Sequence, residues 1–505
     1  MNFFKKKNKT KNSQTANASV KQPVKNINEL FEKFKGSADF LSFPYPDKNG
    51  YVVSYYKSVV NPDQMHQDIF PLLAKHPREK LQELKKLLPV EEMKLTDDLK
   101  VIKESVMTGA VVIQPYKGAD VCLLLPCASS EKRQPSVPEV EFSVVGPKEA
   151  FVESLETNIN LIRKRLPIPQ LKTKEFRVGD LSHLRVVVIY LEGIADQQLV
   201  DTVVQRIEEI HFDVIVDTSF IGQMITDDRN SMFPQLVDTE RPDRLASVLA
   251  EGKIGIMADG APHTLIGPST ITTFFSSFED YYLPWNIGTF FRMLRLFAVT
   301  FSIFSSPLYV AILTYHYQVI PTDLMPMLIA SRAVIPLPPI LEALLLEGTI
   351  ELLREASVRL PTKVGTTIGT VGGIVIGTAA VQAGFVSNVL LMMIALAALA
   401  SFTTPIYQIG NTVRLIRFPF LVAAQLYGLF GIAICSAFFL SHLLRLKSLG
   451  RPYLEPLYPL RMQDLKDTFI RKGFQSMGKR PLFMRPEDPI RAKPKEKKSH
   501  RDIDE

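Results

Sequence analysis

Residues 338–361 place Glu342, Glu347, Glu351, Arg354, Glu355 and Arg359 among leucines. Two prolines open the stretch and one closes it, so it reads as a single helix. Glu347 and Glu351 stand one turn apart on one face, and Glu355 precedes Arg359 in the favourable acid-first order. Charges this close to apolar tracts face protein or water rather than lipid, and rings of carboxylates favour cations. Two roles fit: an interfacial amphipathic helix with solvated salt bridges, or a charged coupling helix beside a pore. The residues leave both open.

Residues 364–384 offer a different chemistry. They carry no charge from 366 to 382 and are dense in Gly, Thr, Ala, Ile and Val. Gly369-x-x-Gly372 and Gly373-x-x-x-Gly377 suit close helix contact in a bilayer. At helical spacing Thr367, Thr370, Val371, Ile374 and Thr378 share one side. Hydroxyls interleaved with Val and Ile suit a pore lining whose apolar ring closes by dewetting. Several copies around one axis satisfy both readings.

Catalytic chemistry is not expected. The eight histidines, among them His183, His211, His263 and His316, form no HExxH or triad pattern. Neither a phosphate-binding GxxxxGK[ST] nor a GxGxxG in strand–helix context occurs. Phe233-Pro234-Gln235 with Asp238-Thr239-Glu240-Arg241-Pro242-Asp243 reads as a loop and helix start, a structural connector. Cys122, Cys127 and Cys435 lack metal-ligand spacing and read as reduced core thiols. No catalytic residue, metal ligand or cofactor is therefore assigned.

The elements that must position these stretches change character near residue 285. Before it, α/β patterning dominates. Leu81, Leu84, Leu87 and Leu88 make a helical stripe, while 110–113 and 121–125 read as paired strands. A strand over 142–145 leads to a helix whose face is Phe151, Leu155, Ile159 and Ile162, with Arg163, Lys164 and Arg165 in its last turn. The run 185–190 reads as a strand, Asp196 as a cap, Leu199, Val203 and Ile207 as a helix face, and 214–216 and 253–258 as further strands. After residue 285 come segments at 293–315, 364–384, 386–404 and 418–441, each near the length a roughly 30 Å hydrocarbon core requires. A further apolar stretch, 324–346, is interrupted by Arg332, Pro336, Pro338, Pro339 and Glu342. Basic residues flank nearly every segment, so the positive-inside rule leaves four or five membrane segments open.

The expected fold is thus an α/β cytosolic N-terminal region of two small subdomains followed by an α-helical polytopic membrane domain. Its parts are a disordered basic tail over 1–27, an α/β domain over 28–285 (subdomains about 95–180 and 181–285), a membrane domain over 286–445 and a cytosolic C-terminal tail over 446–505. The opening residues lack a signal-peptide h-region, which is expected to keep the front half in the cytoplasm. The net charge of +7 sits in the tails and beside the apolar tracts. With no reader motif beside it, the charge points to membrane surfaces and no nucleic acid.

Four stretches, 146–166, 233–244, 338–361 and 369–384, resemble in the same order the A subunits of the GerA family of spore germination receptors. The likeness covers roughly residues 95–460. It implies an inner-membrane protein of bacterial endospores that works with a B subunit similar to amino-acid transporters and a lipoprotein C subunit. It also implies a complex that senses a nutrient through a pocket in the B partner and triggers germination with release of monovalent cations, the A subunit being the homo-oligomeric, ion-conducting part with the Gly/Thr helix as candidate pore lining. Against that ligand-gated cation channel stand a secondary transporter, which Pro-broken segments also mark, and a non-conducting signalling scaffold. No internal repeat between the membrane segments supports the carrier.

Overall fold

The computed structural model describes residues 26–47, 50–90, 92–116, 121–128, 138, 141, 143–359 and 362–491, without the side chains of 362–371, 466 and 476. Most of the basic N-terminal tail and residues 492–505 lie outside them. An α/β front half gives way to a helical region, as the composition switch leads one to expect. The chain forms two compact units, Met1–Gly36 with Phe40–Ser129, and Ser37–Asp39 with Ser130–Glu505.

The first unit is built on a five-stranded sheet ordered β1-β2-β4-β5-β3 (Phe40–Tyr45, Tyr51–Tyr56, Ala110–Pro115, Cys122–Pro126 and Lys94–Thr96). Alternation along β4 sends Val111 and Ile113 to one face and Val112 to the other. The helix Leu81–Leu87 covers the first face through Leu81 and Leu84. Helices Ile27–Lys35 and Leu99–Met107 cover the second through Phe31, Phe34, Ile102 and Val106. Burial pushes the thiols of Cys122 and Cys127 up, to about 12 and about 11. Both are free, as is Cys435, and at neutral pH the first two are inert packing groups.

The second unit repeats the plan with sheet order β6-β7-β9-β10-β8 (Leu171–Val178, Leu184–Leu191, Ile254–Ala258, Thr264–Gly267 and Val237–Thr239). Every ladder in both sheets is antiparallel. Val186 and Val188 of β7 pack on the helices Gln197–Glu208 and Thr218–Ile225. Val187 and Ile189 meet the helices Leu155–Arg165 and Pro242–Leu249. That apolar cluster runs on without a break into Val310, Leu346, Ile394 and Leu421 of the helical region.

Several expectations need correction. The two sheets divide the front half near residue 130, not near 180, because β3, β4 and β5 pair with the N-terminal hairpin β1–β2. Residues 143–145 form no strand, and Phe142 lies outside the described residues. The following helix begins only at Leu155, where the Ser154 hydroxyl caps it by accepting from Thr157 N. Phe151 is buried just ahead of that helix, its N–H on the Glu240 carbonyl. Residues 214–216 join no ladder: Val214 and Val216 are exposed, and the Ile215 N–H is taken by the Ser182 hydroxyl. Residues 446–491 are no loose tail. They form a short hairpin, Lys447–Ser448 with Arg451–Pro452, whose Leu449 packs in the cluster of the second sheet, and a helix, Met462–Thr468, whose Asp467 accepts from the Tyr281 hydroxyl.

Candidate functional site

The helical region holds Trp285–Tyr315, Met325–Arg332, Pro339–Arg359, Thr362–Gln382, Asn388–Ser401 and Tyr407–Arg445. The first and last of these are long and apolar enough to cross a membrane; at 1.5 Å per residue they run about 46 and 58 Å. The helix Pro339–Arg359, bounded by the prolines seen in the sequence, lies between them and carries a ladder of three carboxylates.

Glu342 is fully buried and faces Arg332 at 2.9 Å. Its other oxygen accepts from Ser387 N at 3.1 Å, where the Ser387 hydroxyl caps the helix Asn388–Ser401 and meets the Tyr309 hydroxyl at 3.0 Å. One rung along, Glu347 and Arg417 are each 3 % exposed and paired at 2.5 Å. Ser306 donates to the free oxygen of Glu347 at 2.7 Å, and Arg417 donates to Ser302 at 2.6 Å. At the third rung Glu351 accepts from Arg354 at 3.0 Å and lies 3.5 Å from Arg414, while Asn411 accepts from both arginines. Arg359 stands apart, in an exposed pair with Glu355. Burying a charge is tolerated only when pairing and hydrogen bonds offset desolvation; Glu342 is met from Met325–Arg332, and Glu347 and Glu351 both from Tyr407–Arg445. In this arrangement the carboxylates pin helices together, and both oxygens of Glu347 are taken, by Arg417 and by Ser306. Among the described residues no group of three or more His, Cys, Asp or Glu is set to hold a metal.

The residues expected to line a pore sit on the neighbouring helix Thr362–Gln382. The side chains of Thr367, Thr370 and Val371 lie outside the described residues. Ile374 is 62 % exposed, and exposed Thr378 turns its hydroxyl back onto the Ile374 carbonyl at 2.7 Å. Gly372 lies so close to Leu353 that an added Cβ would stand 3.2 Å from its methyl group, whereas Gly373 faces open space. One side of this helix is therefore packed against the acidic helix, and Ile374 and Thr378 are left on its exposed surface.

Sequence reading missed the partners. Ser302 and Ser306, spaced four apart in an otherwise apolar span, are the signal that a polar group waits opposite. Arg414 and Arg417 read as basic flanks yet are buried. It also missed a break inside Tyr407–Arg445, where Gly428 adopts φ 60°, ψ −138°. The Tyr315 hydroxyl sits 2.8 Å from the Gln425 carbonyl freed there and donates to it. A Cβ at Gly428 would stand 2.8 Å from His316 Nε2 in a backbone region open essentially to glycine. Gly428→Ala is expected to cost about 1–3 kcal/mol, read as a lower Tm of detergent-purified protein.

The connector loop joins the α/β layer to the last helix. Ser231 and His442 share a hydrogen bond of 2.9 Å, Thr412 donates to the Met232 carbonyl at 2.6 Å, and Phe233 packs on Phe439 and His442. Tyr453 donates to the Pro234 carbonyl at 2.8 Å. Just beyond, burial raises Asp243, but hydrogen bonds from Arg241 and Tyr282 outweigh it and hold the carboxyl below its usual range. Burial and that same bond push Tyr282 up to about 12. Phe233→Ala is expected to cost about 3–5 kcal/mol through the cavity it leaves and to loosen this joint, seen as faster proteolysis between the α/β layer and the helices.

Two helices long and apolar enough to cross a membrane, joined in this way to an α/β layer, define a membrane-associated protein. The family model for the Bacillus/Clostridium GerA spore germination protein matches residues 25–483, and the chain belongs to that family. The match is wider at both ends than the 95–460 legible from motifs. Spore germination protein GerQA of Bacillus cereus is 46 % identical over 474 residues, covering 94 % of this chain and 95 % of that protein. A protein of Bacillus subtilis (strain 168) named an uncharacterized membrane protein, YfkQ, is 33 % identical, covering 92 % and 91 %. The crystal structure of the N-terminal domain of the A subunit of the Bacillus megaterium spore germinant receptor GerK3 aligns with TM-score 0.36 and 24 % identity, covering 49 % of this chain and 96 % of that one.

Proposed function

We propose that this chain is the A subunit of a nutrient germinant receptor, multi-pass in the endospore inner membrane with its α/β part on the cytoplasmic, spore-core side. It works with a transporter-like B subunit and a lipoprotein C subunit. Copies of it surround a cation path that opens when nutrient is sensed, and it does so without catalytic groups of its own. The observation that carries this reading is the exposed, uncharged surface of residues 373–379 in the helix Thr362–Gln382, beside a helix whose carboxylates Glu342 and Glu347 are paired with arginines. An exposed surface of Ile and Thr with nothing packed over it among the described residues suits a wall shared between copies. Planar-bilayer recording of the purified protein, alone and with its partner subunits, tests it. Unitary cation steps are expected, and silence under every condition removes the channel. The unwound turn at Gly428 favours a carrier as second reading; a carrier gives saturable, substrate-coupled flux without unitary steps.

A further inference from the structure

The largest cavity described, about 1060 Å³, lies away from the helix ladder. One wall is the second sheet layer: the end of the helix Pro242–Leu249, the turn into β9 and the segment 270–282. The other wall is the C-terminal segment 456–491, strapped down where Arg480 donates to the Ala250 carbonyl at 2.8 Å and Glu487 N to the Ile194 carbonyl at 3.1 Å.

Six basic and three acidic side chains line it. The acids are all engaged. Glu251 pairs with Arg491 at 3.6 Å, Asp464 accepts from the backbone of Leu482 and Phe483, and Asp467 accepts from the Tyr281 hydroxyl. Among the bases, Arg244 is held by Glu141, and Arg480 by carbonyls. Lys253 differs. It is 3 % exposed and lines the cavity, and among the described residues its ammonium is in no hydrogen bond or ion pair, while its backbone N–H donates to the Val248 carbonyl at 3.2 Å. Burial pushes its ammonium down to about 8, with Glu251 drawing it the other way. A cation desolvated this far, with Glu251 as its charge partner but no hydrogen bond to it, is one that an anionic ligand in the cavity would stabilise. Beside it in the lining, Thr270 shares hydrogen bonds with Thr272 at 2.9 Å and Thr273 at 3.1 Å, a group of hydroxyls able to turn their protons toward an oxyanion.

We propose that this cavity binds a small organic oxyanion, bearing phosphate or carboxylate, with Lys253 as the anchoring cation and the Thr270, Thr272 and Thr273 hydroxyls as donors. The site lies outside the conduction path and is independent of whether the chain conducts.

Full-length protein in detergent is titrated calorimetrically with inorganic pyrophosphate in one arm and citrate in the other, at ionic strength held constant with potassium chloride. Saturable binding with Kd below about 1 mM is expected in at least one arm, and the arm that responds names the headgroup. Lys253→Met is expected to weaken it about tenfold or more, whereas Lys472→Ala at the rim changes it less than about threefold. Replacing a desolvated ammonium that makes no hydrogen bond by an apolar side chain is expected to leave Tm near its original value, so a scan of Lys253→Met without ligand separates lost binding from lost folding. Heat in neither arm, or equal binding by well-folded Lys253→Met, overturns the proposal.

Discussion

Glu347→Leu alone is expected to destabilise the helical region by about 3–5 kcal/mol, enough to strip the protein from the membrane fraction. The change leaves Arg417, 3 % exposed, without its carboxylate and leaves the Ser306 hydroxyl without an acceptor. Arg417→Met alone strands Glu347 in the same way. Replacing both by Leu and Met removes the pair together, and buried pairs replaced by apolar groups are often neutral or stabilising. The double variant is therefore expected to recover most of the lost abundance and Tm, with a coupling energy of opposite sign to the single losses. Quantitative immunoblots of membranes and thermal unfolding in detergent check it. If the double variant is as poor as the sum of the singles, the rung is not an isolated pair. The exposed Glu355–Arg359 pair supplies the contrast: breaking it is expected to change stability by less than about 1 kcal/mol.

Ile374→Ser is expected to produce a standing cation leak. A side chain 62 % exposed in the single chain carries little of its packing, so the protein level stays near normal. If copies meet around an axis, Ile374 belongs to the apolar ring that closes by dewetting, and a hydroxyl there keeps the constriction wet. Unstimulated potassium efflux from spores is expected to rise about tenfold or more, with germination before nutrient is added. Normal efflux with normal protein level places Ile374 against lipid instead. A packing role between helices shows as reduced protein level without leak.

Local signals in the chain carried far. Prolines at both ends announced the helix Pro339–Arg359, Asp196 announced the cap of Gln197–Glu208, and the run 185–190 announced β7. Caps and periodicity act within a few residues, so one window of sequence holds them. The ladder was half legible. The carboxylates and their helical spacing stand together in the sequence, but Arg332, Arg414 and Arg417 come from other elements, and nothing local says which acid each meets. The solvated reading survives only for Arg359 with Glu355. The division of the front half was misplaced because strand pairing is non-local: β3 reaches its place at the sheet edge only through β5. The stretch 214–216 has strand composition yet finds no neighbouring strand, because the Ser182 hydroxyl takes the Ile215 N–H that a ladder would use. The connector at 233–243 looked like an ordinary loop. Its contacts to Phe439 and His442 lie some two hundred residues away in the chain, beyond any local pattern.

The central claim is that the helix Thr362–Gln382 lines a water-filled cation path. The most direct test is single-cysteine accessibility across 366–382, in a background lacking Cys122, Cys127 and Cys435, with potassium efflux as readout. Block recurring every three to four positions and including 374 and 378 is expected of a water-lined helix. Uniform protection along the helix would contradict it, and the conducting path would then belong to a partner subunit.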